Sequence, residues 1–260
     1  MTLDRIEGLL LDMDGVLTVS WRPLAGAPQA LACLRAAGMP VRVVTSTTAR
    51  SRPELVAGLA SAGFDFAEHE VLGASTLAAD HLREAWPGAR VFLLGDARPE
   101  DLAGVRLVGL DDAPDVILVS GADESFAFAT LTRVYRALLG GTALVAMHRN
   151  LAWMTDDGLN LDAGAYLLGL EHASGREAVV TGKPAAACFS AAVRTLGLTP
   201  ERVAMVGDDV LTDVLAAQAA GLAGVLVRTG KFREEQLAAA PGRPDHVIDA
   251  FADLPELLGL

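Results

Sequence analysis

Short apolar runs alternate with helix-like segments along most of this 260-residue chain. The run Leu9–Leu11 is followed by a helical pattern over Pro28–Ala37, and Val41–Val44 is followed by another over Pro53–Ala62. Runs that are apolar on both faces need cover on both sides, and strands separated by helices pair in parallel. The alternation therefore predicts an α/β fold built on a parallel sheet.

The same order returns near the C-terminus, and the middle of the chain has an alternation of its own. C-terminal strands and helices are predicted at Ala178–Thr181, Ala185–Leu196, Val203–Val206, Leu211–Ala220 and Val225–Val227. Middle strands are predicted at Val91–Leu94, Val116–Val119 and Ala143–Ala146, with a helix over Ser125–Leu139. No linker rich in Pro, Gly or Ser separates the two patterns, so an inserted domain and one continuous sheet both stay open.

Composition and charge exclude several classes of protein. Hydrophobic residues make up 52% of the chain, which is enough for a buried core. Asp and Glu outnumber Lys and Arg by 33 to 21, and a net charge of −12 disfavours nucleic acid as a partner because it repels phosphodiester backbones. The two cysteines, Cys33 and Cys188, lie far apart, which argues against a disulfide scaffold and a cysteine-built zinc site.

The sequence also predicts a soluble protein of the cytoplasm. Residues Met1–Glu7 carry charged side chains and lack the apolar core of a signal peptide. The longest apolar stretch, Val214–Val227, is shorter than the ~20 residues that span a bilayer. We therefore expect no membrane partner.

Two carboxylates follow the first predicted strand. Asp12 and Asp14 are separated by one residue and precede Gly15, which permits a tight turn. In an open parallel sheet, ligands bind outside the carboxyl ends of the strands, where these side chains should emerge. Two close carboxylates repel each other unless a cation or a shared proton lies between them, and Mg²⁺ prefers oxygen ligands. A plain strand-to-turn junction is the alternative interpretation of this segment.

Three further segments place polar residues after apolar runs. Thr45 and Ser46 follow the second strand, where hydroxyl and N–H groups suit a phosphoryl group, although Ser and Thr also cap helices. Lys183 lies between Gly182 and Pro184, and an exposed lysine at such a turn is often only solvated.

In the last of these segments, Val203–Asp213, a predicted strand is followed by Gly207 and then by acidic residues. Asp208 and Asp209 are adjacent, and Asp213 follows four residues after Asp209. A similar strand–Gly–Asp segment ends in Asp96, but it lacks the paired acids. We interpret Asp96 as a cap of the next turn and Val203–Asp213 as the functional copy.

The four segments, in this order, resemble the four-motif signature of the haloacid-dehalogenase-like phosphohydrolases. That signature runs strand-Asp-x-Asp-Gly, strand-Thr, Gly-Lys-Pro and strand-Gly-Asp-Asp. The long stretch between Thr45 and Lys183 resembles the class IIA branch, in which an α/β cap is inserted there. The C-terminal segment is most similar to phospholysine phosphohistidine inorganic pyrophosphate phosphatase-like members. The resemblance implies a Rossmannoid core with a parallel sheet over residues 1–78 and 180–260, and an inserted α/β cap over 79–179.

The resemblance also implies a chemistry for the first and last segments. Asp12 is the expected nucleophile that forms an aspartyl-phosphate, and Asp14 the expected acid and base. Mg²⁺ is the expected cofactor, bound by Asp12, by the Asp14 backbone carbonyl and by Asp208. Asp209 and Asp213 are expected to orient the metal shell or Lys183, with Asp213 as a ligand in an alternative interpretation.

The middle segments are expected to bind the phosphate. By resemblance, Thr45 and the Ser46 N–H hold phosphoryl oxygens, and Lys183 neutralises charge on the nucleophile and the phosphate. The branch often has Asn where this chain has Ser46, so an asparagine-dependent contact is in doubt. Some relatives have Ser where this chain has Asp14, which suggests that this chain hydrolyses ordinary alkyl phosphates.

The inserted segment is expected to contact the substrate. His148, Arg149 and Asn150 follow a predicted strand and are candidates, as is the Trp153–Asp157 loop, although surface polar residues are usually only solvated. Trp21 lies just beyond the first motif and either gates the site or packs. Relatives often dimerise through the cap, so the resemblance admits a homodimer.

The predicted function is hydrolysis of small phosphorylated metabolites, with pyrophosphate and phosphoramidates as further candidate substrates. A phosphotransferase or mutase with the same aspartyl-phosphate is one alternative. A catalytically weak metal-binding interaction protein is another, although four convergent charged groups have no use in a scaffold. A dinucleotide-binding enzyme is disfavoured because Gly-x-Gly-x-x-Gly is absent after the first strand.

Overall fold

The computed structural model describes residues 5–155 and 158–260, and its strands and helices are numbered in chain order. The strands are β1 (Gly8–Leu11), β2 (Thr18–Val19), β3 (Arg22–Pro23), β4 (Val41–Thr45), β5 (Val71–Gly73), β6 (Arg90–Leu94), β7 (Arg106–Leu107), β8 (Val116–Val119), β9 (Ala143–Ala146), β10 (Ala152–Thr155), β11 (Gly158–Leu161), β12 (Val179–Val180), β13 (Val203–Gly207), β14 (Ala223–Val227) and β15 (His246–Ile248). The α-helices are α1 (Ala27–Ala36), α2 (Arg52–Ser61), α3 (Ala74–Ala85), α4 (Phe128–Leu139), α5 (Ala163–Ser174), α6 (Ala186–Leu196), α7 (Ala216–Ala219), α8 (Glu234–Ala239) and α9 (Leu254–Leu257).

The chain divides into two compact units. The first unit comprises residues 5–45, 52–72 and 184–260, and the second unit comprises residues 46–51 and 73–183. The insertion predicted from the sequence ran from 79 to 179, several residues shorter at each end. The roles of these units as catalytic core and cap stay a proposal.

The first unit is built on a six-stranded sheet in the order β15-β14-β13-β1-β4-β5. Strand β1 lies at its centre and pairs in parallel with β13 and with β4, so that Leu11 is opposite Val206 on one side and Val43 on the other. All four residues of β1 are buried, as a strand covered on both faces requires. The α/β fold with a parallel sheet is therefore confirmed.

Helix α1 shows how the sequence sets a helix boundary in this unit. Pro28 lies in its first turn, where a missing N–H costs nothing, and Gly38 follows its end with a φ of 76°. Leu31 and Leu34 are buried on the face that packs on the sheet core. The predicted boundaries, Pro28–Ala37, differ by one residue from those observed.

The predicted helix over Leu211–Ala220 is different in the structure. Residues Val210–Leu215 form a π-helix, and only Ala216–Ala219 are α-helical. The Asp209 carboxylate caps this segment by accepting hydrogen bonds from the N–H groups of Leu211 and Thr212. Single π-helical turns are rare and often occur at functional sites.

The second unit is built on a five-stranded parallel sheet in the order β12-β9-β8-β6-β7. Strands β8 and β9 have the predicted bounds, whereas the helix predicted from Ser125 begins at Phe128 because Glu124–Phe126 form a short 3₁₀ helix. The prediction that the core resumes at residue 180 is wrong for Val180, because β12 pairs with β9 in this sheet. A two-residue strand carries too little pattern to reveal which sheet it joins.

Within residues 5–155 and 158–260, no helix combines the length and the apolar character that crossing a membrane demands.

Candidate active site

Two central strands of the first unit end side by side in acidic residues. Strands β1 and β13 are paired neighbours, and the Asp12 N–H extends that pairing by donating to the Val206 carbonyl at 2.9 Å. Asp12 follows β1 directly, and Asp208 follows β13 directly. The carboxyl ends of these strands therefore bring together side chains that lie almost 200 positions apart in the sequence.

Asp213 completes a cluster of three buried carboxyl groups. One carboxylate oxygen from each of Asp12, Asp208 and Asp213 lies within 4.8 Å of the other two. The exposed fraction of the three residues is between 1% and 5%. Burial, together with the charges of Asp12 and Asp213, raises the pKa of Asp208 to about 8, and the Lys231 ammonium opposes that rise.

This cluster fits a hard divalent cation. Among the described residues, none donates a hydrogen bond to the buried Asp208 Oδ1, although Oδ2 accepts one from the Lys231 N–H at 2.7 Å. A buried carboxylate oxygen without a donor is costly, and the three buried carboxylates of this cluster repel one another. Oxygen-rich, anionic sites of this kind are those that Mg²⁺ and Ca²⁺ occupy, so the donor set suits the predicted cofactor.

Glycines allow the backbone to approach the carboxyl groups closely. Gly15 has a φ of 85°, and a Cβ on it would lie 1.9 Å from Asp208 Oδ2. A Cβ on Gly230 would lie 2.0 Å from the same oxygen, and one on Gly207 would lie 2.3 Å from Asp213 Cβ. The absence of side chains at Gly15 and Gly207 therefore leaves this space to the carboxyl groups. No substitution at these positions fits without displacing the carboxyl groups.

The loop after β14 is the part of this site that sequence reasoning missed. Thr229, Gly230 and Lys231 lie just beyond a fully buried strand. The Lys231 N–H donates a hydrogen bond to Asp208, and the Thr229 hydroxyl donates one to the Gly15 carbonyl. A sequence signal was present, because Thr-Gly-Lys comes one residue after the predicted strand Val225–Val227. Nothing in the sequence indicated that this loop contacts the turn after β1, which lies more than 200 residues earlier.

Asp14 and Thr45 occupy different environments in the first unit. Asp14 is exposed and forms an isolated bridge with Thr18, in a turn where the Gly15 N–H donates to the Thr18 carbonyl at 2.7 Å. Thr45 is the last residue of β4 and is 4% exposed. An exposed carboxyl can exchange protons with solvent, which suits the predicted acid and base.

Ser46 and Lys183 belong to the second unit. Ser46 is half-buried, and Lys183 is 5% exposed, which is rare for a lysine. The interpretation of Lys183 as a merely solvated surface residue is therefore wrong. Their predicted roles in phosphate binding stay predictions.

Asp209 and Asp213 were predicted to share one role, and the structure gives them different contacts. Asp209 Oδ1 caps the π-helical segment through two backbone N–H groups. Asp213 Oδ2 accepts a hydrogen bond from the Asp209 N–H at 3.2 Å, and Asp213 also belongs to the carboxyl cluster. The structure thus separates a cap from a candidate ligand.

The three substrate-contact candidates lie together after β9 in the second unit. His148 is 3% exposed, and its Nδ1 accepts a hydrogen bond from the Asn150 N–H at 3.3 Å. The Arg149 guanidinium donates to both carboxylate oxygens of Glu171, at 2.6 and 2.8 Å, which raises the pKa of Arg149. Substrate contact by these residues stays a prediction.

Asp96 and Trp21 make contacts that differ from a turn cap and a gate, and the Trp153–Asp157 loop lies partly outside the described residues. Asp96 does not cap the next turn, whose N-cap is Arg98; instead its carboxylate accepts a hydrogen bond from the Thr48 hydroxyl at 2.6 Å. Trp21 packs against the core of the first unit, and its ring occupies the space beside Gly58. The Trp153–Asp157 candidate loop overlaps the strand Ala152–Thr155, and 156–157 lie outside the described residues.

Family models match both ends of the chain. A model described as haloacid dehalogenase-like hydrolase matches residues 9–110, and one described as HAD-hydrolase-like matches residues 180–254. Haloacid dehalogenase-like hydrolase domain-containing protein 2 of Bos taurus is 35% identical, with 91% of this chain and 90% of that protein covered. The phospholysine phosphohistidine inorganic pyrophosphate phosphatase of Rattus norvegicus is 34% identical, with 98% of this chain and 95% of that protein covered.

Solved structures have the same fold over nearly the whole chain. A 4-nitrophenylphosphatase from Thermotoga maritima is 27% identical with a TM-score of 0.90, and 98% of each chain is covered. A glycerol phosphate phosphatase from Mycobacterium tuberculosis, solved with magnesium, is 30% identical with a TM-score of 0.84. The match covers 97% of this chain and 78% of that one.

Proposed function

We propose, because the chain belongs to the class IIA haloacid-dehalogenase-like hydrolases, that it is a Mg²⁺-dependent phosphatase acting on small phosphorylated metabolites. The observation that carries the proposal is the buried cluster of Asp12, Asp208 and Asp213 at the ends of β1 and β13. Three similar proteins support this class of substrate by their names. They are a 4-nitrophenylphosphatase, a glycerol phosphate phosphatase and a phospholysine phosphohistidine inorganic pyrophosphate phosphatase.

The metal is held by residues of the first unit. We assign Asp12, the Asp14 backbone carbonyl and Asp208 as its ligands, and Asp213 as a fourth group that contacts it directly or through water. When bound, Mg²⁺ supplies positive charge that allows an anionic carboxylate to approach an anionic phosphate. In a chain with a net charge of −12 this compensation is essential.

Asp12 is the proposed nucleophile. Its carboxylate attacks phosphorus, the bond to the leaving oxygen breaks, and an aspartyl-phosphate forms. Asp12 suits this role because its backbone is fixed at the end of a buried central strand, so that the side chain is presented in one position. A covalent step of this kind divides one difficult displacement into two easier ones.

Asp14 is the proposed proton donor and acceptor. In the first step it protonates the leaving alkoxide, and in the second it removes a proton from the water that attacks the aspartyl-phosphate. Its exposed position gives access to that water. Leaving groups such as alkoxides depend most on this proton, which favours ordinary phosphomonoesters as substrates.

Phosphate binding is assigned to the motifs that follow β4 and β12. Thr45 and the Ser46 N–H hold phosphoryl oxygens, and Lys183 neutralises negative charge on the nucleophile and the phosphate. The near-complete burial of Lys183 supports this assignment, because a lysine is rarely buried without a negatively charged partner.

The proposal is tested by measuring release of inorganic phosphate from a panel of phosphomonoesters, phosphoramidates and pyrophosphate. Wild-type protein with Mg²⁺ is compared with wild-type protein in chelator and with Asp12→Asn. Asp65→Asn, an exposed acid of the first unit, is the matched control. We expect release that needs both Mg²⁺ and Asp12 and that the control retains. Transfer of phosphate to an added sugar without release, or no turnover of any class, would overturn the proposal.

A further inference from the structure

Two segments of the first unit converge on the carboxylate of Asp208. Its Oδ2 accepts a hydrogen bond from the Lys231 N–H at 2.7 Å. The same oxygen lies where a Cβ on Gly15 or on Gly230 would be, at 1.9 and 2.0 Å. The turn after β1 and the loop after β14 therefore both pack directly against Asp208, and their Gly15 and Gly230 backbones also face each other.

The side chain of Thr229 connects these two segments. The Thr229 hydroxyl donates a hydrogen bond to the Gly15 carbonyl, across 214 positions of sequence. Gly15 directly follows Asp14, whose backbone carbonyl is a proposed metal ligand. Since Asp14 and Gly15 share a peptide bond, a hydrogen bond that fixes the Gly15 carbonyl also restricts the orientation of the carbonyl before it.

The two partners of this hydrogen bond differ in rigidity. Gly15 has a φ of 85° and no side chain, so its own conformational restraint is weak. Thr229 is half-buried, is stiff at χ1 because it is β-branched, and lies two residues beyond β14, all of whose residues are buried. The buried strand β14 thus supplies the anchor, and the turn that contains Gly15 is the part that is held.

We infer that Thr229 is a positioning residue for the metal site, because it holds the Asp14–Gly15 turn in register with Asp208. This inference rests on the proposed function and deepens it. Thr229 contacts neither metal nor substrate, and it acts through Gly15. Hydrogen-bonding partners behind metal ligands typically change metal affinity by about 10–100-fold when they are removed.

The test compares Thr229→Val, which keeps the shape and loses the hydroxyl, with Thr229→Ser, which keeps the hydroxyl. Thr132→Val is the matched control, because the Thr132 hydroxyl also donates to a backbone carbonyl, that of Phe128, but lies in the second unit. Binding of Mn²⁺ to each protein is measured directly by electron paramagnetic resonance, without substrate. The Mg²⁺ concentration that half-activates phosphate release is measured in parallel.

We expect Thr229→Val to bind Mn²⁺ about 10-fold or more weakly, with a matching increase in half-activating Mg²⁺ and a kcat near wild type at saturating Mg²⁺. Thr229→Ser and Thr132→Val should bind Mn²⁺ like wild type. Should Thr229→Val fail to fold, as judged by circular dichroism, Thr229→Ala gives the same readout.

Wild-type affinity for Mn²⁺ in Thr229→Val would overturn the inference and leave the proposed function intact. A loss of kcat at saturating Mg²⁺ with unchanged Mn²⁺ affinity would also overturn it, because that pattern indicates a role outside the metal site. Wild-type protein that binds no Mn²⁺ and releases no phosphate would overturn the proposed function, and this inference with it.

Discussion

At the scale of single residues, the acid at the end of β13 has the most unusual environment. Burial and the neighbouring charges of Asp12 and Asp213 raise the pKa of Asp208 to about 8. A proton and the proposed divalent cation would therefore compete for this carboxylate near neutral pH. The protonation state of Asp208 would connect the proposed metal binding to pH.

We predict that Mg²⁺ affinity increases as the pH rises from 6 to 8, because Asp208 then loses the competing proton. Calorimetric titration with Mg²⁺ at several pH values measures this dependence and also detects the released proton. Asp65→Asn should keep the dependence. Affinity that is independent of pH over this range would contradict the assignment of Asp208 as a ligand.

The free energy of unfolding of the metal-free protein should fall as the pH rises, whereas the Mg²⁺ affinity should increase. Between the ordinary pKa of an aspartic acid, about 3.9, and about 8, the folded chain holds a proton on Asp208 that the unfolded chain lacks. The contribution of Asp208 to the free energy of unfolding therefore falls as the pH rises through this window. Thermal unfolding in chelator should show this fall, and Asp208→Asn should reduce it. An equal fall in Asp208→Asn would assign the pH dependence to other groups.

Asp14 gives a prediction that depends on the leaving group. With a phosphomonoester of an aliphatic alcohol, Asp14→Asn should lower kcat by about 10²–10⁴-fold, because the leaving alkoxide needs a proton. With 4-nitrophenyl phosphate the loss should be smaller, because its leaving group needs little protonation. Steady-state kinetics with both substrates measures the difference. Equal losses on the two substrates would show that Asp14 does not act as the acid.

At the scale of elements, the segment 46–51 belongs to the second unit although Thr45 belongs to the first. The Thr48 hydroxyl donates to Asp96 at 2.6 Å and accepts from the Gly121 N–H at 3.1 Å. The Ala49 carbonyl accepts a hydrogen bond from Arg98 at 2.9 Å. These contacts connect the segment to the turns that follow β6 and β8.

Removing the Thr48 hydroxyl should loosen this connection. Burial raises the pKa of Asp96, and the hydrogen bond from Thr48 opposes that rise, so in Thr48→Val the Asp96 carboxyl loses a partner while it stays half-buried. We expect a loss of about 1–3 kcal/mol in local stability, measured as faster hydrogen exchange of the Gly121 amide. Thr48→Ser should restore the protection. Unchanged exchange in Thr48→Val would show that the segment is held by other contacts.

The sequence predicted elements well where their pattern is strong and local. Strands β8 and β9 have the predicted bounds, because four consecutive apolar residues between turns leave little choice. The sheet joined by β12 and the π-helical turn at Val210–Leu215 were not predictable, because both depend on partners distant in sequence. The motif acids were found because each follows an apolar strand in the local sequence. The Thr229–Lys231 loop was not found, because its contacts are with residues distant in sequence.

At the scale of the whole molecule, charge limits the class of ligand. We expect the net charge of −12 and the buried acids of the first unit to repel polyanions, whereas one small phosphate beside the proposed cation should be tolerated. We predict no binding of duplex DNA near physiological salt, as measured by fluorescence polarisation with a labelled duplex. Salt-dependent binding there would contradict the proposed restriction to small substrates.

The covalent step through Asp12 is the central claim, and trapping it tests the claim most directly. Asp14→Asn should form the aspartyl-phosphate and hydrolyse it slowly, because the base that activates water is missing. After incubation with Mg²⁺ and 4-nitrophenyl phosphate and an acid quench, mass spectrometry should find one phosphoryl group on the peptide that contains Asp12. The same treatment of a variant that also carries Asp12→Asn should leave that peptide unmodified. Turnover of substrate by Asp14→Asn with no phosphoryl group on Asp12, or with one on another residue, would contradict the account.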